Sequence, residues 1–172
     1  CGGAGVLRGD KTVKVTIPSG IDSGRRVRLV GEGGAAPRGG KRGDLYVLIN
    51  VKPHPLFKRD EQHLFCRVPL AFTTAALGGS IEVPTLSGKT SALKIPAGTQ
   101  TGQQFRLKGM GMPTLRGDHH GDLYIEIYVE TPVNLTKKQQ DLLHEFQDSL
   151  QKGKSHNPET DSFLDRIKHL WG

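Results

Sequence analysis

An internal duplication constrains this chain more than any other feature. Residues 13–51, VKVTIPSGIDSGRRVRLVGEGGAAPRGGKRGDLYVLINV, align without a gap onto residues 91–129, SALKIPAGTQTGQQFRLKGMGMPTLRGDHHGDLYIEIYV, at an offset of 78 residues. Sixteen of the 39 positions are identical, among them Ile17-Pro18 with Ile95-Pro96 and Gly43-Asp44-Leu45-Tyr46 with Gly121-Asp122-Leu123-Tyr124. Agreement of that kind in one register is not a chance event, and the period is too long for a solenoid of short repeats. The chain therefore contains two tandem copies of one small domain.

Within each copy the pattern predicts strand, turn, strand, glycine-rich loop, strand. Val13, Val15 and Ile17 alternate with polar residues, as do Val47, Ile49 and Val51, the period of two expected of half-buried strands. Pro18-Ser-Gly20 and Pro96-Ala-Gly98 end a strand and open a turn, because Pro cannot donate to a ladder and Gly accepts positive φ. The second copy carries extra elements in front: a strand over 64–70, a helical turn over 73–77 and a strand over 80–84. Moving these back by 78 puts the first two before Cys1, so the first copy lacks its leading elements in this chain. With 23 glycines and few aromatics, the expected fold is mainly β: two tandem similar small β-sandwich or barrel domains followed by a C-terminal helix.

The C-terminal region differs in kind. Thr136 and Gln139 form a capping-box pattern, and Leu142, Leu143, Phe146 and Leu150 recur at helical spacing. This predicts a helix of about four turns. A polar linker over 152–160 separates it from a shorter apolar face made by Phe163, Leu164, Ile167, Leu170 and Trp171. Such stripes serve either core packing or an interface, and a terminal helix joined by a polar linker is well placed to dock on a second subunit.

Several function classes find little support. No apolar run has the length of a membrane helix, and no basic-then-apolar signal pattern opens the chain. Two cysteines, Cys1 and Cys66, make no disulfide framework. The net charge of +7 arises in the first third: residues 1–60 hold 12 Lys or Arg against 5 acids, and residues 61–172 hold 12 against 12. That excess fits solubility, an acidic partner or nucleic acid. Residues 13–45 contain no aromatic to stack on bases, which makes a nucleic-acid-binding β-protein the alternative and not the first reading. The glycine loops 31–34 and 109–112 fit no phosphate-cradle spacing and precede no predicted helix, so they read as turns and flexible loops. His119-His120 lacks further ligands at metal spacing, and no nucleophile elbow or repeated carboxylate pair is present. The chain does not read as an enzyme.

The motifs CxGxG at Cys1, IPSG, GEGG, GDLYV, HPLFKR, AALGGSIEVPTLSG, IPAGTQTGQQFRLKGMGMP and GDLYIEIYVETP occur in order, and together the chain resembles the DnaJ family of J-domain co-chaperones over essentially its whole length. The resemblance implies two similar β-domains, the first interrupted by a zinc module of four CxxCxGxG repeats. On that plan residues 1–5 are a remnant of the zinc module, 6–52 the second part of the first, client-binding β-domain, and 53–132 the second β-domain. Residues 133–152 are the dimerisation helix and 153–172 a linker with a short amphipathic segment.

Cys1 then matches the second cysteine of the last zinc repeat, a single remaining metal ligand. Zinc belongs to the parent protein, and none is expected on this stretch alone. The family resemblance further implies that unfolded client polypeptides add along a strand edge and place an apolar side chain in a shallow pocket. Val13, Val15, Val47 and Ile49 match the pocket walls; Val15 and Ile49 are equally ordinary core positions. A homodimer through Leu142, Leu143, Phe146 and Leu150, transfer of clients to a DnaK-type ATPase chaperone, and a bacterial cytoplasmic or organellar-matrix location are likewise implied. One departure is Asp60-Glu61-Gln62, where relatives often carry Gly in the hairpin after FKR.

Overall fold

Among the described residues, regular structure begins at residue 26, and the buried core cluster belongs to the second copy. The structure, a computed structural model, describes residues 9–36, 40–115, 117–150 and 156–171. It contains β1 (Arg26–Leu29), β2 (Leu45–Leu48), β3 (Phe57–Asp60), β4 (His63–Ala71), α1 (Phe72–Leu77), β5 (Gly79–Pro84), β6 (Thr90–Ile95), β7 (Gln104–Leu107), β8 (Leu123–Glu130), α2 (Lys137–Ser149) and α3 (Pro158–Trp171). The mainly β expectation with a helical C-terminus is met. The chain divides into two compact units, residues 1–130 and 131–172.

In the second copy four strands form one sheet in the order β3-β4-β8-β7, and β5 and β6 form a separate hairpin. β4 and β8 run parallel with Leu64 opposite Leu123 and Cys66 opposite Ile125, while β7 pairs antiparallel with β8. Period-two alternation sends Leu64, Cys66 and Leu70 of β4 and Leu123, Ile125 and Ile127 of β8 to one face. They pack with Phe57, Ala75, Val83, Leu93 and Ile95 into one core. Leu123, Ile125, Ile127 and Val83 are fully buried. Burial pushes the Cys66 thiol pKa up, because the uncharged form is favoured away from water.

Helix α1 is held from outside. Its Ala75 carbonyl accepts from Gly98 N (2.8 Å) and Thr99 N (3.0 Å) of the Pro-Ala-Gly turn. The buried Thr99 hydroxyl donates to Pro96 O at 2.7 Å. The two-residue hairpin between β3 and β4 places Glu61 at φ 51°, the left-handed conformation for which Gly is the low-cost residue. This chain therefore keeps the turn despite its departure at Asp60-Glu61-Gln62, at a cost of roughly 1–2 kcal/mol.

The first copy repeats only part of this architecture. β1 and β2 form a two-stranded sheet, with Arg26 opposite Leu48 and Leu29 opposite Leu45. Adding 78 to each number reproduces the β7–β8 register, Gln104 opposite Glu126 and Leu107 opposite Leu123. The sequence pattern also predicts a strand through Val13, Val15 and Ile17, and there the structure differs: residues 9–18 carry no regular structure. The matching β6 is a strand because it pairs with β5 along its full length. Subtracting 78 from β5 lands on the first six residues, CGGAGV, which lie outside the described residues. Among the described residues Ile17 is 57% exposed where Ile95 is 1%.

In the second unit, Thr136 caps α2 by a reciprocal box: Thr136 Oγ1 accepts from Gln139 N at 3.4 Å and Gln139 Oε1 accepts from Thr136 N at 2.8 Å. The helix keeps no buried residue; Leu142 and Phe146 are exposed, and Leu143 and Leu150 half-buried. The amphipathic segment beyond is the 14-residue α3, with Phe163, Leu164, Ile167 and Leu170 exposed. Of the linker expected over 152–160, residues 152–155 lie outside the described residues, and residues 158–160 are not linker but the first turn of α3.

Candidate functional site

Hydrogen bonds that recur at the same offset show what the repeated glycines and aspartates do. Asp44 Oδ1 accepts from Gly31 N at 2.9 Å, and Asp122 Oδ1 accepts from Gly109 N at 2.8 Å. Gly33 N donates to Gly43 O and Gly111 N to Gly121 O, both at 2.8 Å. Beyond the hairpin, Val51 N donates to Ser23 Oγ and Val129 N to Thr101 Oγ1. The glycine loops are thus fastened at their base by a carboxylate that chelates the turn, and the Gly-Asp-Leu-Tyr motif is structural. Sequence reasoning read these loops as flexible because backbone N–H to carboxylate bonds leave no periodic signal.

In the first copy the clasp also engages Arg28, whose Nε donates to Asp44 Oδ2 at 2.6 Å. The Gly31 hydrogen bond, and after it the Arg28 bond, holds the Asp44 carboxyl pKa below its usual value. A depressed carboxylate pKa contributes stability that is present above the unfolded value, roughly 3.9, and is lost as pH falls through the folded value. Amide exchange at Gly31 is therefore expected to lose protection on acidification below about pH 4. Asp44→Asn should remove that pH dependence, and an acid response surviving in the variant would refute the assignment.

Among the described residues the same hairpin is paired on one side only. In copy two, β8 bonds to β7 on one side and to β4 on the other; in copy one, β2 bonds to β1, and no described strand lies on its far side. Ile49 N donates to Arg25 O at 2.9 Å, which extends the ladder and fixes its phase. By antiparallel alternation Leu45, Val47 and Ile49 bond inward to the β1 side, so Tyr46 and Leu48 turn their backbone groups to the other side, the one on which β8 pairs with β4 in the second copy. Tyr46 is 57% and Leu48 64% exposed. In the second copy Tyr124, the match of Tyr46, stacks on Phe65 of β4 with centroids 5.1 Å apart.

The structure places the expected pocket residues unevenly. Val47 and Ile49 share one face with Val27 and Leu29, all half-buried, and Val47 sits directly opposite Val27. Their matches Ile125 and Ile127 have no exposure at all. Val13 and Val15 are also half-buried but lie on the unpaired segment 9–18. Val15 matches the buried Leu93, whereas Val13 matches Ser91 and is an apolar residue particular to the first copy. Between that segment and β1 runs a depression of about 470 Å³, lined by Thr16, Pro18, Ile21, Arg25, Arg26 and Val27 with Leu115. Sequence reasoning did not single out Tyr46 and Leu48, whose matches Tyr124 and Glu126 lie opposite Phe65 and Arg67 of β4.

Cys1 lies outside the described residues. Among those described, no three His, Cys, Asp or Glu side chains converge as metal ligands. Cys66 is buried alone among apolar side chains. The described residues therefore do not fit a zinc site, and no step here runs through one. No described helix is long and apolar enough to cross a membrane.

The family model described as the DnaJ C terminal domain matches residues 6–132, and the one described as the Chaperone protein DnaJ C-terminal region matches residues 138–172. Among curated proteins, the chain is 56% identical to the Chaperone protein DnaJ of Rhodospirillum centenum over 95% of its own length and 43% of that relative. It is 53% identical to that of Cereibacter sphaeroides over 99% of its own length and 44% of the relative, and 52% identical to that of Methylobacterium nodulans over the same shares. The chain thus spans less than half the length of these relatives.

Proposed function

Since this chain belongs to the DnaJ C-terminal domain family, we propose that it is the client-binding and self-association region of a co-chaperone, holding unfolded polypeptides for transfer to a DnaK-type ATPase chaperone. The observation that carries this reading is the β1–β2 hairpin, whose apolar face, Val47 and Ile49 beside Val27 and Leu29, is half-buried. An extended apolar segment can add along a strand edge of this copy through main-chain hydrogen bonds, which are indifferent to sequence. Apolar contact with Val13, Val15, Val47 and Ile49 then supplies mild selectivity. No covalent chemistry is required, and none of these residues is a catalytic group. The bacterial relatives support a cytoplasmic location, and zinc belongs to the longer protein and not to this stretch.

Fluorescence anisotropy of a labelled apolar peptide and of a labelled single-stranded oligonucleotide, each at low and moderate salt, tests the reading. Peptide binding that is insensitive to salt and weakened about tenfold or more by Val13→Asp or Val47→Asp is the expected result, since a buried charge without a partner is strongly disfavoured. Unchanged affinity in both variants refutes the pocket. Oligonucleotide binding alone, falling steeply with salt, would favour the basic first third as a nucleic-acid surface.

Self-association is supported by the exposure of Leu142 and Phe146 on α2. A dimer through Leu142, Leu143, Phe146 and Leu150 places two client sites on one particle, raising avidity for a long chain with no new contact. The double variant Leu142→Asp with Phe146→Asp is expected to run as a monomer in sedimentation velocity while its peptide affinity per site is retained. A persisting dimer would assign association elsewhere.

A further inference from the structure

We infer that Arg59 is a positioning residue that locks the first β-copy at a set angle against the second. The copies are joined covalently by residues 49–56, and a single covalent connection leaves rotation free. Arg59 supplies a second point of attachment. It lies on β3, opposite Leu64 of β4, and so belongs to the packed second copy. Its Nη1 donates to Ile21 O and its Nη2 to Gly20 O, both at 2.8 Å, across 38 and 39 residues of sequence.

The guanidinium is used on all sides. Nε donates to Glu61 O at 2.7 Å, which fixes the side chain to its own hairpin, and Nη2 lies 3.1 Å from Asp22 Oδ1. The side chain is only 18% exposed. Two terminal nitrogens directed at successive carbonyls require a planar fork, which Lys does not possess. The opposite side of the same turn is equally close: a Cβ on Gly20 would lie 2.1 Å from Pro113 O.

The matching turn of the second copy is held differently, by Gly98 N and Thr99 N donating to Ala75 O of α1. In the first copy the Gly20 and Ile21 carbonyls of this turn accept from a side chain of the other copy. The arrangement acts on the angle between the copies and is independent of what either one binds.

Spin labels at Arg26→Cys on β1 and Lys94→Cys on β6, in a Cys1→Ser background with Cys66 left buried, report that angle through the electron–electron distance distribution. The unaltered Arg59 chain is expected to show one narrow peak. Arg59→Gln, Arg59→Lys and Gly20→Ala are each expected to broaden it. Gly20→Ala strikes the contact from the first copy and leaves β3 intact, so amide protection of the β4–β8 ladder should be retained there. A broad distribution in the unaltered chain, or a narrow one in Gly20→Ala and Arg59→Gln, overturns the inference. Loss of β4–β8 protection in Arg59→Gln with a narrow peak in Gly20→Ala also overturns it, reducing Arg59 to a prop of its own domain.

Discussion

Ile125→Ala is expected to destabilise the β4–β8 ladder by about 2–5 kcal/mol, the range for removing a large aliphatic side chain from a site that cannot collapse. Ile125 is fully buried, with Cys66 opposite on β4. The repeat-matched change Val47→Ala is expected to cost less than about 1.5 kcal/mol, because Val47 is already half in contact with water and no described strand lies beyond it. Native-state amide exchange reads the two strands separately, which matters where one compact unit holds both copies. Equal costs would mean that the first copy closes over Val47 as tightly as the second closes over Ile125, leaving no apolar face to offer a client.

A sharper contrast is expected at two glycines in identical Gly-Asp-Leu-Tyr motifs. A Cβ on Gly121 would lie 1.9 Å from Gln62 O and 2.5 Å from Gln62 C, both backbone atoms of the β3–β4 turn. Gly121→Ala must displace that turn or its own loop, at a cost of about 1–3 kcal/mol or more. A Cβ on Gly43 would meet nothing within 4 Å. Gly43→Ala is therefore expected to stay within about 0.5 kcal/mol of the parent. Urea melts and exchange rates of the two hairpins check this directly. Comparable losses at both positions would place the requirement for glycine in the loop itself and not in the hairpin that covers it.

Much of the fold was legible before any coordinate. The strand over 64–70, the helical turn at 73–77, the strand over 80–84 and the capped helix after Thr136 all appear at or within a residue or two of those positions. Each is specified locally, by alternation, by a cap or by turn residues. The segment at Val13, Val15 and Ile17 has the same alternation and carries no regular structure, and the residues that match β5, the partner of β6, lie outside the described ones. Val47 was legible as apolar and strand-borne, whereas β2 ends at Leu48 and Ile49 continues the ladder only through its bond to Arg25 O; whether the two line a surface or fill a core was not legible, since their matches Ile125 and Ile127 carry nearly the same side chains and are fully buried.

By itself the sequence determined the duplication, its 78-residue register, the mainly β composition of each copy and the identity of the family, because these reside in residue type and spacing. Tertiary structure alone decided that Asp44 and Asp122 clasp their glycine turns, that Gly121 lies against the β3–β4 turn, and that Arg59 reaches across to Gly20 and Ile21. Those properties depend on which atoms lie near one another across dozens of residues.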